Sequence, residues 1–215
     1  LPLGIYFCAF LPITTLPHNI GKVFWAFWNY QVTMFSYHSN LVATHVFSSP
    51  WYEWPFDIQP IWYFSGDTYQ GYSTISALGN PLLWWSGIPA LLATVYLWWK
   101  RHPRWAGLTL AGYGSVYLPW VLVPRLTFIY HYFTAVPFLV ITLCGVFFLL
   151  EKQAPFSREL VFPGGLCCRG STLLLITFTA ACLVLFALYY PVISGAPTSP
   201  DYADILQLFD TWYFV

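Results

Sequence analysis

Residues 171–190, STLLLITFTAACLVLFALYY, form a run of 20 residues without a charge. A helix that crosses a bilayer needs about 20 mostly apolar residues, because lipid offers the backbone no hydrogen-bonding partner. The run therefore predicts a transmembrane helix and places the chain among integral membrane proteins.

Three other segments meet the same criterion: residues 80–99 (NPLLWWSGIPALLATVYLWW), 105–123 (WAGLTLAGYGSVYLPWVLV) and 126–150 (LTFIYHYFTAVPFLVITLCGVFFLL). Pro89, Pro119 and Pro137 lie inside these segments, where we expect them to kink helices that neighbouring helices support. Residues 1–17 are expected to be the end of a preceding transmembrane helix. The predicted fold is thus all-α and integral to the membrane, with four full transmembrane helices within residues 80–190 and a partial one at the N terminus.

The composition excludes a water-soluble globule. Of the 215 residues, 58% are hydrophobic and only 7% are charged, whereas soluble proteins have about 25% charged residues. Lys plus Arg number 8 and so do Asp plus Glu, so the chain has no net charge with which to hold a nucleic acid. The chain opens on apolar Leu1 without the features of a signal peptide, and we expect it to be the C-terminal part of a longer protein.

The basic residues predict the orientation, because they accumulate in the cytoplasmic loops of membrane proteins. Six of the 8 cations fall between the first two spans or between the last two: Lys100, Arg101, Arg104, Lys152, Arg158 and Arg169. Residues 18–79 and the tail 191–215 are therefore predicted to share the extracytoplasmic face.

Residues 18–79 are too long and too aromatic for a simple connection. Residues 22–40 have an apolar and a polar stripe at helical spacing, which is typical of a helix lying in the membrane interface. The next stretch, SSPWYEWPFDIQPIWYF (48–64), has three evenly spaced prolines that favour an extended aromatic loop. Residues 61–76, with Gly66-Asp67 and Gly71, predict a short hairpin.

Two polar residues near the start of the third full span are candidate ligand-binding residues. Arg125 is suited to grip a phosphate with its guanidinium, although a helix-end cation that reaches lipid headgroups would have the same sequence. His131 shares a helix face with Thr127 and Thr134, so it is either hydrogen-bonded between helices or in contact with a sugar or phosphate. Tyr130 lies beside it and is also a normal residue for the membrane interface.

The outer loop supplies the other candidates. His38 and His45 lie seven residues apart without a companion Cys or acid pair, so no metal site is predicted. Glu53 stands between Trp51 and Trp54, where desolvation would raise its pKa, and aromatic faces beside an acid suit carbohydrate binding. The sequence has no GxSxG, HExxH, Walker or GxGxxG motif, and no cofactor is predicted.

Three blocks in order carry a family resemblance: YHSNLVATHVFSSPWYEWPFDIQPIWYF, ALGNPLLWW and RLTFIYHYFTAVPF. Together they make the chain similar to the C-terminal four-span region of the protein O-mannosyltransferase family, in its bacterial form, from about Trp25 to Phe214. The sequence departs from the family pattern at His45-Val46-Phe47, where His-Pro-Tyr is usual, and at Gln59, where a basic residue is common.

The resemblance implies a membrane glycosyltransferase of the C type, which moves mannose from a polyprenyl- or dolichyl-phosphate carrier to Ser or Thr hydroxyls of an acceptor protein. It also implies residence in a bacterial plasma membrane. In that family the general base belongs to the first extracytoplasmic loop, which this chain does not include, so no catalytic residue is assigned. Substrate contacts are expected instead from Trp51, Trp54, Glu53, His38, His45, Tyr130, His131 and Arg125.

Two other classes of function remain as alternatives. One is a non-catalytic membrane subunit or scaffold that binds a partner through the aromatic outer loop. The other is a haem- or metal-binding membrane protein that uses His38, His45 and His131.

Overall fold

The computed structural model describes residues 2–12, 20–69, 71–163 and 167–215. The chain divides into two compact units: Leu1–Thr44 with Val123–Arg125, and His45–Leu122 with Leu126–Val215. Each unit is described by itself.

The first unit contains helices α1 (Pro2–Phe10) and α2 (Ile20–Asn40). They pack through aromatic rings, with Phe27 edge-on to Phe7 at 5.1 Å and to Phe10 at 5.4 Å between ring centroids. The Tyr6 hydroxyl also donates to Gln31 Oε1 at 2.6 Å. The helix predicted for residues 22–40 is confirmed, while residues 13–17 of the predicted first span lie outside the described residues.

The second unit contains the remaining elements. In chain order these are a 3₁₀ turn (Trp51–Phe56), β1 (Ile61–Thr68), β2 (Gly71–Ala77), α3 (Pro81–Arg101), α4 (Arg104–Tyr117), 3₁₀ turns (Leu118–Leu122 and Ile129–Thr134), α5 (Val136–Leu150), β3 (Glu159–Val161), β4 (Cys167–Arg169), α6 (Gly170–Ser194) and α7 (Pro200–Ile205). By length and composition, α3 and α6 are the described helices that could cross a bilayer, and α5 is a shorter apolar helix.

The helix predicted over residues 126–150 begins ten residues later than expected. Residues 126–128 are irregular and α5 starts at Val136, with Pro137 in its first turn. A proline is favourable there, because its missing N–H would have no partner, whereas inside a helix it removes a hydrogen bond. Pro119 likewise ends α4 at Tyr117 and is followed by 3₁₀ geometry. Of the three prolines expected to kink helices, only Pro89 lies in the interior of a helix, beyond its first turn.

The segment around Trp54 is not the extended loop that its prolines predict. Residues Trp51–Phe56 form a 3₁₀ turn, hereafter the tryptophan turn, with extended Pro50 before it and Pro55 inside it. The turn is closed by Glu53 N–H to the Pro50 carbonyl at 3.1 Å and by Asp57 N–H to the Trp54 carbonyl at 3.0 Å. The turn tolerates Pro55, which has no N–H to donate, because the two N–H groups that close the turn belong to Glu53 and Asp57, on either side of Pro55.

The predicted hairpin is present as the antiparallel pair β1 and β2, with Ile61 opposite Ala77. A second small hairpin, β3 with β4, was not predicted. The C-terminal tail packs on the first hairpin, since Thr198 N–H donates to the Tyr72 carbonyl at 2.8 Å and the Tyr72 hydroxyl donates to the Phe214 carbonyl at 2.9 Å. Trp212 and Phe214 are fully buried as a result.

Helices α4 and α5 approach closely at two glycines. A Cβ at Gly112 would collide with the Phe138 ring, and one at Gly145 would collide with the Trp105 ring. Small residues at helix interfaces are the usual means of close packing in membranes. These glycines therefore set the spacing of the two helices that lead to the site.

We predict that Gly112→Ala lowers the free energy of unfolding by about 1–3 kcal/mol, because the added methyl displaces Phe138. Thermal unfolding of the purified protein in detergent measures this. Gly4→Ala is the matched control, since a Cβ there has nothing within 4 Å. A Gly112→Ala midpoint equal to that of Gly4→Ala would contradict the packing, and Gly112→Ala with Phe138→Leu should recover part of the loss.

Candidate functional site

The tryptophan turn is anchored by Trp54, whose side chain is 0% exposed. Its indole N–H donates to the Ser49 carbonyl at 3.1 Å and to the Ser49 hydroxyl at 3.0 Å. A buried indole N–H needs such a partner, because an unpaired donor costs free energy. Trp54 therefore fixes the turn to the chain that precedes it.

Ser49 also binds the segment that leads into α5. Its N–H donates to the Thr127 carbonyl at 2.9 Å, and the Thr127 hydroxyl donates to the Ser49 carbonyl at 2.8 Å. These paired bonds hold the tryptophan turn beside the 3₁₀ turn Ile129–Thr134. The sequence predicts that Thr127 and His131 share a helix face, but Thr127 lies in an irregular segment and the prediction is wrong. The Thr134 hydroxyl donates to the His131 carbonyl at 2.9 Å.

His131 lies against two tryptophans. Its ring stacks on Trp120 with a centroid distance of 3.9 Å and an interplanar angle of 25°, and it is 5.8 Å from the Trp54 ring. We call Trp54, Trp120 and His131 the ring cluster. Stacking fixes the plane of the imidazole, so that its two nitrogens are presented at the ring edge.

A cavity of about 270 Å³ lies next to the tryptophan turn. Its walls come from the turn, α3, α4 and the start of α5, and include Trp51, Tyr52, Phe56, Ile88, Leu91, Tyr113, Tyr117, Tyr132 and Leu139. Most of these side chains are apolar or aromatic. The cavity is suited to an apolar group or to the face of a sugar ring.

Tyrosine hydroxyls supply the polar part of the cavity wall. The Tyr117 hydroxyl donates to the Trp51 carbonyl at 2.9 Å, and the hydroxyls of Tyr113 and Tyr132 are 3.0 Å apart. Each hydroxyl carries one proton, so the bond between Tyr113 and Tyr132 uses one proton and leaves the other. The pair can therefore donate to a ligand oxygen.

The structure brings several of the predicted site residues together. Trp54 and His131 are in the ring cluster, and Tyr130 is 4.3 Å from His131 between ring centroids. Tyr130 also stacks on Phe128, and His45 meets Phe128 edge-on at 5.2 Å. Trp51 lies on the cavity wall.

Glu53 projects from the tryptophan turn and is partly buried. Desolvation by this burial raises the pKa of its carboxyl above the ordinary value. The direction agrees with the sequence prediction. Desolvation therefore favours the neutral form of this carboxyl more than it would in a fully exposed glutamate.

His38 and Arg125 belong to the first unit and are not part of the ring cluster. His38 contacts Tyr37 edge-on at 5.2 Å. Arg125 is half-buried, and within the described part of the chain no carboxylate lies within 4.0 Å of its guanidinium. A half-buried guanidinium without a counter-ion is suited to an anionic ligand.

Sequence reasoning missed Tyr113, Tyr117 and Trp120. No motif marks them, but Tyr113 and Tyr117 are four residues apart and therefore share one helix face. No substrate contact was expected from Asp57, and the structure buries it completely. Across residues 2–12, 20–69, 71–163 and 167–215, no group of three His, Cys, Asp or Glu side chains could hold a metal ion.

A family model described as the C-terminal four TMM region of protein-O-mannosyltransferase matches residues 23–212. The polyprenol-phosphate-mannose–protein mannosyltransferase of Mycobacterium tuberculosis (strain ATCC 25618 / H37Rv) is 27% identical over 203 residues, which are 86% of this chain and 36% of that protein. The dolichyl-phosphate-mannose–protein mannosyltransferase 1 of Saccharomyces cerevisiae is 25% identical over 197 residues, covering 83% of this chain and 22% of that protein. The chain thus spans little more than a third of the first relative and less of the second.

One solved structure is similar over most of the chain. It is the protein O-mannosyltransferase Pmt1-Pmt2 complex of S. cerevisiae bound to the sugar donor, with a TM-score of 0.71 and 22% sequence identity. The match covers 93% of this chain and 28% of that chain. The similarity shows a shared fold.

We predict that Thr127→Val lowers the free energy of unfolding by about 0.5–1.5 kcal/mol, because it deletes the hydroxyl bond to Ser49 while keeping the side-chain shape. Hydrogen exchange should become faster at the Ser49 amide, which donates to the Thr127 carbonyl. Thr177→Val is the control, because its exposed hydroxyl bonds only carbonyls of its own helix. Unchanged exchange at Ser49 in Thr127→Val would show that the two segments are held by other contacts.

Proposed function

The chain belongs to the protein O-mannosyltransferase family, and we propose that it forms the C-terminal membrane region of an enzyme that transfers mannose from a polyprenyl-phosphate carrier to Ser or Thr hydroxyls of an acceptor protein. The observation that carries the proposal is the cavity beside the tryptophan turn, in a chain whose residues 23–212 match this family. Its aromatic walls and tyrosine hydroxyls suit a sugar that has apolar faces and polar edges.

Four membrane crossings are part of the proposal. α3 and α6 are long enough alone. α4 with the turn Leu118–Leu122, and the turn Ile129–Thr134 with α5, each reach about 30 Å, which is the thickness of the hydrocarbon core. The exposed apolar side chains of α6, including Leu183, Val184 and Phe186, are suited to contact lipid.

The proposed membrane is a bacterial plasma membrane, with residues 18–79 and 191–215 on its extracytoplasmic side. The bonds from Tyr72 to Thr198 and Phe214 support this, because two segments that bond each other lie on one side of a bilayer. The cations of the 100–104 and 151–169 connections would then face the cytoplasm, as basic loop residues usually do.

The side chains of the second unit have proposed roles in sugar binding. The cavity holds the mannose through the aromatic face of Trp51. Trp54, which was expected as a substrate contact, is fully buried and supports the turn that carries Trp51. His131 and the Tyr113–Tyr132 pair donate to the mannose hydroxyls. Tyr130, His45 and Glu53 form the outer boundary, where the acceptor peptide approaches.

For the first unit taken by itself, Arg125 and His38 are proposed as contacts to a lipid-linked phosphate at the headgroup level. In the reaction the acceptor hydroxyl loses its proton to a general base, its oxygen bonds to C1 of mannose, and the bond from C1 to the phosphate oxygen breaks. Negative charge then increases on the departing polyprenyl phosphate, and a guanidinium stabilises this charge. No residue of this chain is proposed as the catalytic base.

We expect Arg125→Ala to weaken binding of polyprenyl-phosphate mannose by about 10- to 100-fold, because charge-assisted hydrogen bonds contribute about 1.5–3 kcal/mol. The protein in lipid nanodiscs is titrated with polyprenyl-phosphate mannose, and tryptophan fluorescence is recorded. Arg101→Ala, which removes a cation predicted to face the cytoplasm, should bind like the parent.

Two results would count against the proposal. If the parent binds polyprenyl-phosphate mannose no better than mannose-free phosphatidylglycerol vesicles, the donor site is absent. If Arg125→Ala and Arg101→Ala weaken binding equally, Arg125 acts only through general surface charge.

A further inference from the structure

Asp57 is a buried acid that the proposed sugar site does not use. It directly follows the tryptophan turn, its side chain is 0% exposed, and its backbone is left-handed with φ 56° and ψ 40°. Residues other than glycine rarely adopt this conformation, although Asp and Asn tolerate it better than most. Its contacts must therefore hold Asp57 in place.

These contacts join Asp57 to three separate segments. Its N–H donates to the Trp54 carbonyl at 3.0 Å, which closes the tryptophan turn. Its Oδ2 accepts the Gly79 N–H at 2.9 Å, just before α3. Its backbone carbonyl accepts the Trp212 indole N–H at 2.7 Å, and the next carbonyl, of Ile58, accepts the Thr211 hydroxyl. One residue thus connects the turn, the start of α3 and the C-terminal segment.

The other carboxyl oxygen, Oδ1, is buried and has no hydrogen-bond partner. Within the described residues, no Lys, Arg or His forms an ion pair with Asp57. An ionised carboxylate in this position would be unfavourable, because burial without a cation or a full set of donors penalises the charge. The neutral acid avoids the penalty on the charge and still accepts the Gly79 N–H through Oδ2.

The titratable groups around Asp57 do not offset a negative charge. Tyr189 of α6 interacts electrostatically with Asp57, and its hydroxyl donates to the Leu206 carbonyl at 2.9 Å. Glu53 lies on the tryptophan turn and Asp210 is the nearest acid along the C-terminal segment. Gly79 and Asn80, which precede α3, contribute no charge. Burial accordingly raises the pKa of Asp57 well above its ordinary value.

We propose that Asp57 is a positioning residue that the folded protein holds as a neutral acid, and that in this form it ties the tryptophan turn to α3 and to the C-terminal segment. Loss of its proton releases the turn, and with it the Trp54 side of the ring cluster. The effect on donor binding rests on the proposed function, whereas the effect on stability does not.

The sign of the pH dependence follows from the raised pKa. Between the unfolded and the folded pKa of Asp57, the folded chain binds more protons than the unfolded chain. The stability that the neutral acid contributes is therefore fully present below the unfolded pKa and is lost as the pH rises through the folded pKa. The Asp57→Asn substitution keeps the shape of the side chain but removes the titrating proton, so that variant should lack this fall.

The first test measures thermal unfolding of the full chain in detergent from about pH 4, near the ordinary pKa of an aspartate, upward. We expect the midpoint of the parent to fall as Asp57 ionises and Asp57→Asn to keep a higher midpoint at alkaline pH. Asp57→Ala should unfold more easily than the parent at acidic pH, where Asp57 is neutral. Glu53→Gln is the control for the neighbouring acid, whose pKa is also raised; it should remove only the part of the fall that Glu53 contributes and retain the fall that Asp57 causes.

The second test needs no variant to fold well. The carboxyl carbons of aspartate are labelled with ¹³C in the parent, and the signal that is missing in Asp57→Asn is followed with pH. We expect it to remain at the neutral-acid position at a pH where the aspartates of the unfolded chain are already ionised. A signal already ionised there, or an Asp57→Asn midpoint with the same pH dependence as the parent, would overturn the proposal.

Hydrogen exchange and donor binding test whether Asp57 positions the tryptophan turn or only contributes to the free energy of unfolding. Asp57→Ala should speed exchange at the residue 57 amide, which closes the turn, by about tenfold and weaken polyprenyl-phosphate mannose binding, while Asp57→Asn restores both. Equal donor binding in Asp57→Ala and Asp57→Asn would contradict the positioning role. If the parent itself does not bind the donor, the proposed function fails, and the stability and ¹³C results still decide the state of Asp57.

Discussion

The site depends on the hydrogen bonds that the buried indole N–H of Trp54 makes to Ser49. Trp54 is too large and too apolar to leave outside the core, yet its N–H must find an acceptor there. Ser49 provides two acceptors, and the Ser49 backbone is in turn paired with Thr127. This arrangement brings His131 against Trp54 and Trp120. Without it, the tryptophan turn and the start of α5 would have no fixed relation.

The remainder of the second unit supports the same region from two sides. The close approaches at Gly112 and Gly145 hold α4 against α5, so that Tyr113 and Tyr132 come within hydrogen-bond distance. The C-terminal segment covers the other side, where Trp212 donates to the Asp57 carbonyl. The cavity wall therefore combines helices that suit a lipid environment with an outer layer whose hydrogen bonds are satisfied within the protein. Such a position is favourable for a ligand with an isoprenoid tail and a sugar head.

The sequence predicts the parts of this molecule that follow from strong local patterns. Residues 171–190 and 80–99 are long apolar runs and are α-helical throughout, apart from Asn80, which caps α3. The hairpin predicted over residues 61–76 is present, although Gly66 lies within β1 opposite Ser73 and not at the turn. Patterns that depend on tertiary contacts gave wrong predictions. The prolines predicted an extended loop where the chain forms a 3₁₀ turn whose Trp54 is anchored to Ser49, and hydropathy predicted a helix from residue 126 where α5 begins at Val136. The Trp120 stack and the burial of Asp57 involve partners distant in sequence, so no local signal announces them.

The central claim is that the mannose of a polyprenyl-phosphate donor binds in the cavity beside the tryptophan turn. The most direct measurement is photo-crosslinking of the nanodisc-embedded protein with polyprenyl-phosphate mannose that carries a diazirine on the sugar, followed by peptide mass spectrometry. The account predicts label within residues 49–56 and 118–134, and less label when unmodified donor competes. Competable label on the 151–169 connection, with none on either predicted segment, would contradict it.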